Sequence, residues 1–241
     1  MSGHSKWKNI MHKKEKTDAQ RAKIFTKIGR EITLCVKEGG PDPASNAKLK
    51  DLISKAKENN VPNDNIERVI KKASGDGCSD NYEEIQYEGY GPKGVAVIIE
   101  TLTDNRNRTA GDMRHYFDKY GGNLGQTGSV SWQFTEKGVI VIDKSEYDEN
   151  KLMEDILDAD VDDYAAEEEV YEVYTSPDSL PATKELLENK GYKFLSAEVE
   201  KLPSTYITLS DEDDVKNMQK LLDILDDDDD VQNVWHNWDE K

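Results

Sequence analysis

The alternation of hydrophobic and polar positions predicts three amphipathic helices at the start of the chain. Between residues 17 and 38, apolar residues recur every three or four positions and fall on one side of a helix, with lysine and arginine on the other. The predicted apolar side consists of Ala22, Ile24, Phe25, Ile28, Ile32, Cys35 and Val36. A T-x-x-Q capping box at residues 17–20 marks the expected start, and Gly39-Gly40-Pro41 the end. Two shorter helices, at 44–58 and 63–73, complete a small bundle.

The remainder of the chain alternates short apolar strands with amphipathic helices. Before residue 135 the pattern predicts strands at 84–89, 94–101 and 129–134 and a helix at 105–120. In the last of these strands Trp132 and Phe134 share a face, which we expect to meet the core rather than to stack on RNA bases. Residues 139–201 then follow the order strand, helix, strand, strand, helix, strand, which is typical of a ferredoxin-like unit.

A strand at 205–209, a helix at 211–225 and a strand at 231–238 end the pattern. They supply the half that residues 94–134 lack, so we expect strands 129–134 and 205–209 to lie side by side. The predicted fold is therefore α+β and multidomain, with an N-terminal three-helix bundle followed by two ferredoxin-like α/β units, one inserted in the other. The predicted domains are 1–75 (basic arm and helical bundle), 76–134 plus 203–241 (α/β domain) and 135–202 (inserted α/β domain).

Formal charge divides the chain at the same boundary. The whole sequence carries −18, yet residues 1–75 hold 17 basic and 9 acidic residues, a net +8. Residues 76–241 hold 15 basic and 41 acidic residues, a net −26. A basic segment on an acidic protein predicts a polyanionic partner, and nucleic acid is the commonest one.

The candidate nucleic-acid contacts are the cations of this basic segment, the tryptophan among them and two arginines further along. Cations on one helix face usually form only a solvated surface, but the opposite charge of the rest of the chain favours binding here. Trp7 lies between two lysines and is suited to stacking on a base. The predicted contacts are Lys6, Trp7, Lys8, Lys13, Lys14, Lys16, Arg21, Lys23, Lys27, Arg30, Arg106 and Arg108. Lys71 and Lys72 would extend the same basic surface.

Arg106 and Arg108 follow a predicted strand at the start of a helix, where backbone N–H groups favour anions. An equally weighted alternative is that Asp104 caps this helix and the arginines pair with nearby acids. The glycine-rich segment 121–128 runs from helix to strand, the reverse of a phosphate-binding loop, so we expect a turn with positive φ at several positions. The five acids at 226–230 predict a solvated loop, and a cation site or an internal competitor for the basic arm has no support from sequence alone.

Several other classes of function lack a sequence signal. The two cysteines and four histidines show no disulfide framework and no zinc-ligand spacing, and no nucleophile has a recognisable base beside it. We therefore expect no enzyme activity, no cofactor and no small-molecule substrate. No apolar run approaches the length of a membrane span, and the N-terminus lacks the apolar core of a signal peptide, which predicts a cytoplasmic protein with no membrane partner.

Six motifs resemble the YebC/PmpR family. They are GHSKWKNI at 3–10, KIFTKIGREI at 23–32, NNVPNDNIERVIKKASG at 59–75, YEGYGPKG at 87–94, TDNRNRT at 103–109 and GGNLGQTGSVSWQF at 121–134. Lys93 and Gly29 depart from the family pattern, which usually has a small residue at the first position and an aliphatic one at the second. The resemblance implies a helical bundle with two α/β domains and no catalytic residues.

The resemblance implies nucleic-acid binding in gene expression, and two hypotheses follow. In the first, which the family's usual description favours, the protein is a DNA-binding transcriptional regulator. In the second, it is a ribosome-associated translation factor that binds rRNA or tRNA. The net −26 of residues 76–241 favours the second, because such charge repels a long duplex lying across the molecule.

Overall fold

The computed structural model describes residues 18–75 and 81–239. The helices in these ranges are α1 Asp18–Gly39, α2 Ala47–Glu58, α3 Asn63–Ala73, α4 Arg106–Lys119, α5 Glu149–Ile156, α6 Leu180–Asn189 and α7 Glu212–Asp227. The strands are β1 Glu83–Tyr90, β2 Ala96–Thr103, β3 Asn123–Leu124, β4 Phe134–Asp143, β5 Asp163–Ala166, β6 Val170–Thr175, β7 Ser196–Pro203, β8 Ile207–Thr208, β9 Val231–His236 and β10 Trp238–Asp239.

The three N-terminal helices form the predicted bundle. Their buried side chains make one apolar cluster that includes Ile28 and Ile32 of α1, Leu49 and Leu52 of α2, and Ile66 of α3. The helical period therefore placed the core face correctly, with the exceptions of Ala22, which is exposed, and Phe25, which is half-buried. The capping box at residues 17–20 and Cys78 lie outside the described residues or side chains.

The first sheet has the strand order β3-β1-β2-β9. β1 runs antiparallel to β2 over its full length, from the pair Glu83 and Thr103 to the pair Tyr90 and Ala96. β2 is buried at seven of its eight positions, and α4 buries Met113 and Phe117. Residues 129–134 and 205–209, which we expected to be neighbouring strands of this sheet, are not part of it, and β1 is the strand that pairs with β2.

The second sheet has the order β5-β6-β4-β7, and it belongs to a complete ferredoxin-like unit. β4 is antiparallel to both β6 and β7, and α5 and α6 close the core. This core includes Ile140, Ile142, Leu152 and Val173, all fully buried. The unit lies in sequence between β3 and β9 of the first sheet, as the periodicity predicted.

The predicted strand at 129–134 is wrong. Ser131–Gln133 is a single 3₁₀ turn, and the strand starts at Phe134 and continues without a break to Asp143. The backbone N–H of Val130 donates to a carboxylate of β1 (2.8 Å), so it is not available to a strand ladder. Trp132, expected in the core, has 75% of its surface exposed.

The short C-terminal strands also differ from the prediction. Only Ile207 and Thr208 of the segment 205–209 are extended, and they pair in parallel with β10. β3, which the pattern did not predict, pairs antiparallel with the end of β1. No helix within 18–75 or 81–239 is both long and apolar enough to cross a membrane.

Contacts along the described chain group it into two compact units. One holds the described residues from Asp18 to Val130 together with Ser210–Val234, and the other holds Ser131–Leu209 with Trp235–Asp239. One unit thus contains the helical bundle, α7 and the first sheet as far as Val234 of β9. The division into three domains with a boundary near residue 75 stays a prediction, and the segment 76–80 lies outside the described residues.

Candidate nucleic-acid interface

Half of the predicted contact residues fall outside the described part of the chain. These are Lys6, Trp7, Lys8, Lys13, Lys14 and Lys16. Arg21 belongs to α1, but its side chain is likewise outside the description. Their role in binding stays a prediction.

The basic side of α1 faces the end of α7. Lys23 Nζ donates to the backbone oxygen of Asp227 (3.0 Å) and lies 2.7 Å from a carboxylate oxygen of the same residue. Lys27 Nζ donates to the backbone oxygen of Asp226 (2.8 Å). Because the last carbonyls of a helix have no intrahelical donor and carry its negative dipole end, the two lysines stabilise the terminus of α7.

One turn further along α1, Arg30 contacts the buried carboxylate of Asp230. The side chain of Asp230 is only 7% exposed, and it pairs with both Arg30 and Arg108. The Arg108 Nη2 atom lies 2.8 Å from one carboxylate oxygen, which also accepts hydrogen bonds from Thr109 (2.7 Å) and Thr103 (3.1 Å). Arg30 donates to the other oxygen. We call Arg30, Arg108, Thr103, Thr109 and Asp230 the Asp230 cluster.

The backbone around this carboxylate is also tied down. Arg30 Nη1 donates to the backbone oxygen of Leu102 (3.1 Å), and the N–H of Leu102 donates to the backbone oxygen of Asp230 (2.7 Å). The N–H of Asp230 donates to the carboxylate of Asp228, which accepts in turn from the hydroxyl of Tyr116 (3.0 Å). The cluster thereby joins α1, β2, α4 and the turn before β9.

The pKa of Asp230 reflects two opposing causes. Burial alone would raise it, but hydrogen bonds from Arg108, Arg30 and Thr109 favour the charged form more strongly, and together they lower the pKa to about 2. The same pairing raises the pKa of Arg108. Burial, and then the charge of Asp228, raises the pKa of Tyr116. A carboxylate held ionised by two guanidiniums is suited to hold a structure together rather than to accept or release a proton near neutral pH.

The sequence left two alternatives for the arginines of the TDNRNRT motif, anion binding or pairing with nearby acids, and Arg108 pairs with acids. Arg108 also pairs with Asp104 (2.9 Å), although Asn105 rather than Asp104 caps α4 by accepting from the N–H of residue 108. Arg106 differs, since 69% of its side chain is exposed and its nearest carboxylate oxygen, on Glu83, is 3.9 Å away. The expectation of a solvated acidic loop is wrong for Asp230, which is buried, and the run is not all loop, because Asp226 and Asp227 belong to α7.

The glycine-rich segment 121–128 is held by a buried glutamate of β1. The carboxylate of Glu88 accepts from the backbone N–H groups of Gly128 (2.9 Å) and Val130 (2.8 Å), and its backbone oxygen accepts from Gly125 (2.8 Å). Only Gly121 and Gly128 have positive φ here. Gly122 is required for a different reason, because a Cβ there would lie 2.5 Å from the backbone oxygen of Tyr90.

Further exposed cations lie on the third helix of the bundle. Arg68, Lys71 and Lys72 are spaced at i, i+3 and i+4, which places them on one side of α3. In the described ranges, no group of three or more histidine, cysteine, aspartate or glutamate side chains is arranged to hold a metal ion. Burial lowers the pKa of His236 to about 4, so this imidazole is neutral.

Comparison with known families assigns nearly the whole chain. A family described as TACO1/YebC protein N-terminal domain matches residues 5–76, and one described as TACO1/YebC second and third domain matches residues 82–238. The chain belongs to the TACO1/YebC family. The resemblance seen in the sequence motifs is thereby confirmed.

Curated relatives in this family carry the name "Probable transcriptional regulatory protein". The relative from Acetivibrio thermocellus is 59% identical over 99% of both chains. The one from Caldicellulosiruptor saccharolyticus is 56% identical over the full length of both. Among solved structures, a conserved hypothetical protein from Aquifex aeolicus is 42% identical, has a TM-score of 0.82 and covers 93% of this chain and 92% of its own.

The geometry gives physical reasons for two of the family motifs. YEGYGPKG and GGNLGQTGSV meet through Glu88 and through Gly89, where a Cβ would lie 2.8 Å from both the backbone of Asn123 and the ring of Phe117. Lys93 adopts a left-handed conformation (φ 55°), which is uncommon for a residue other than glycine.

Sequence reasoning missed Glu88, Asp230 and Arg114 as functional candidates. Glu88 looked like one acid among many in an acidic region, and Arg114 like an ordinary helix-surface cation. Arg114 lies outside the TDNRNRT motif, and no local pattern in the sequence singled it out.

Proposed function

We propose that this protein is a nucleic-acid-binding regulator of gene expression that acts on transcription. The observation that carries the proposal is the separation of charge within one chain, +8 over residues 1–75 against −26 over residues 76–241. The name of the curated relatives supports the transcriptional role. On this proposal the protein is cytoplasmic, has no catalytic activity and requires no cofactor.

The proposed contact surface combines the lysines at the start of the chain with exposed cations of α3. Lys6, Lys8, Lys13, Lys14 and Lys16 supply the main phosphate contacts, and Trp7 stacks on a base. The exposed residues Arg68, Lys71 and Lys72 of α3 extend this surface. Lys23, Lys27, Arg30 and Arg108 keep their intramolecular partners in the free protein and contribute to the ligand only where those contacts open.

The test is binding of the full-length protein to duplex DNA. Changing Lys13→Glu and Lys14→Glu together should weaken binding to random duplex by at least about tenfold in moderate salt, because each phosphate contact releases counterions. Lys216→Glu with Lys220→Glu is the matched control, since it makes the same change in net charge at two exposed lysines of α7. Equal affinity of the two double variants would refute the proposed contact surface.

Selection of a preferred duplex tests the transcriptional role. A regulator of transcription should bind a selected sequence at least about 10³-fold more tightly than random duplex at physiological salt. Failure to select any sequence, together with retention on ribosomes at salt that removes duplex DNA, would instead favour the translation-factor hypothesis. Trp7→Ala should then weaken the ribosomal contact, because stacking persists where charge is screened.

A further inference from the structure

A groove beside the glycine-rich segment carries two arginines and no carboxylate. It has a volume of about 370 Å³ and lies between β1, α4 and the loop after β3. Its lining includes Arg106, Ala110 and Arg114 from the helix, Tyr87 from the strand, and Gln126 and Thr127 from the loop. All of these residues belong to one compact unit.

The helix places the two cations along one wall. Arg106, Ala110 and Arg114 follow each other at four-residue intervals, so they share a side of α4, and the Cα atoms of the two arginines are about 12 Å apart along the helix axis. The small side chain of Ala110 leaves the space between them open. This spacing lets the two arginines reach different phosphates of one strand.

The charge of this groove is not balanced within the described part of the protein. Arg114 is exposed and makes no ion pair there, and Arg106 has only the distant oxygen of Glu83 at 3.9 Å. This contrasts with Arg108, which has two carboxylate partners. Two weakly paired arginines in a region of net charge −26 form a local anion-binding surface.

Three other residues that line the groove, Tyr87, Gln126 and Thr127, carry hydrogen-bonding groups without a partner in the described ranges. The backbone N–H groups of Gln126 and Thr127 donate to no acceptor in the described ranges, whereas those of Gly125, Gly128 and Ser129 are all used. The hydroxyl of Tyr87 is shielded from solvent and has no hydrogen-bond partner among the described residues. An unpartnered buried hydroxyl is uncommon in folded proteins. Hydrogen bonds to Glu88 from Gly125 on one side and from Gly128 and Val130 on the other fix both ends of the segment Gln126–Thr127.

The geometry points to a binding site for the phosphates of a single nucleic-acid strand, formed by Arg106, Arg114 and the loop Gln126–Thr127. The groove accommodates about one nucleotide with its phosphate, whereas a duplex is too wide to enter it. The inference rests on the proposed function, since it takes nucleic acid as the ligand. The groove would be a second nucleic-acid contact, separate from the cations of residues 1–75, and it would bind a single strand rather than a duplex.

The experiment uses the full-length protein and octauridylate as the probe. Arg114→Gln is compared with Lys119→Gln, which removes the same charge from an exposed position on the opposite side of α4. Arg114→Gln should weaken binding at least about fivefold in 0.1 M salt and flatten the log–log salt dependence by about 0.7, the contribution of one single-strand phosphate. Lys119→Gln should change affinity less than about twofold. Octauridylate should also shift the amide resonances of Gln126 and Thr127 in a ¹H–¹⁵N spectrum.

Uridine monophosphate distinguishes a strand from a free nucleotide. The octamer should bind at least about tenfold more tightly, because it engages both arginines. Equal affinity for the monophosphate would overturn the assignment to a strand, and unchanged Gln126 and Thr127 resonances would overturn the site itself, as would equal affinities of the two variants.

The outcomes separate this inference from the proposed function. If Lys13→Glu with Lys14→Glu weakens binding while Arg114→Gln matches its control, the groove is rejected and the proposed function stands. If the groove resonances shift and Arg114→Gln alone weakens binding, the groove stands and the N-terminal contact surface is rejected.

Discussion

Arg106 and Arg108 come from the same turn of α4, yet they meet opposite surroundings. Arg108 belongs to the Asp230 cluster, where it shares a buried carboxylate with Arg30. Arg106 lies in the groove with Arg114, where its nearest carboxylate is 3.9 Å away. The charge of Arg108 is neutralised by carboxylates of the cluster, whereas the charge of Arg106 in the groove is only weakly compensated.

The comparison teaches that a row of cations in sequence does not by itself indicate a binding surface. The basic side of α1 looked like an interface, but Lys23, Lys27 and Arg30 hold the end of α7 and the turn that follows it. The acidic run at 226–230, which looked like a solvated loop, supplies the partners. Whether a cation is available to a ligand depends on the carboxylates that surround it in the folded protein. This can be tested by substitutions in the Asp230 cluster and in the groove.

The largest expected effect comes from removing the carboxylate of the cluster. Asp230→Ala leaves Arg30 without its carboxylate partner and should lower the free energy of unfolding by about 3–5 kcal/mol, as is usual when one partner of a buried ion pair is lost. Urea denaturation measures this. Asp229→Ala, at the exposed neighbouring acid, should stay within about 0.5 kcal/mol of the wild type. Similar losses in the two variants would mean that the acidic run acts only through its total charge.

Acid titration should give a smaller effect of the same origin. The pKa of Asp230 falls from 3.8 to about 2 in the folded protein, so its stabilisation is complete above pH 4 and is lost as the pH falls toward 2. The difference in unfolding free energy between the wild type and Asp230→Asn should therefore shrink by about 1–2 kcal/mol over this range, a value reduced for the partial exposure of Arg108. A difference that stays constant with pH would show that charge at Asp230 does not contribute.

The parts of the fold that depend on local periodicity were predictable. The helices of the bundle and the whole unit from β4 to β7 follow from spacings of 3.6 and 2 residues. The failures involve partners distant in sequence. The strand expected at 129–134 is replaced by a turn because Glu88, 42 residues away, takes the N–H of Val130. Likewise Arg30 and Asp230 are 200 residues apart, and no local pattern indicates that they meet.

The sequence indicated which segment carries candidate cations, but it did not indicate which of those cations are paired with acids. The TDNRNRT motif drew attention to the start of α4, but its two arginines could not be told apart from sequence, since both lie in the first turn of that helix. Only the fold reveals that one faces Asp230 and the other faces the groove. Arg114 gave no local signal, because an exposed helix arginine is ordinary until its neighbours are known.

The smallest expected change in stability gives the sharpest test of this comparison, because the two arginines should differ in opposite directions for stability and for binding. Arg108→Gln removes a guanidinium that pairs with Asp104 and Asp230 and should lower the unfolding free energy by about 1 kcal/mol, since its exposed side chain is screened and Arg30 remains. Arg106→Gln should change it by less than about 0.5 kcal/mol, because its only ion pair in the described ranges is long and exposed. For octauridylate affinity the order should reverse, with Arg106→Gln weakening binding and Arg108→Gln leaving it nearly unchanged under conditions where both variants are folded. Urea denaturation measures the loss of stability and a binding titration measures the loss of octauridylate affinity, each on the same two protein preparations. If one variant showed the larger loss in both measurements, the division between the Asp230 cluster and the groove would be contradicted.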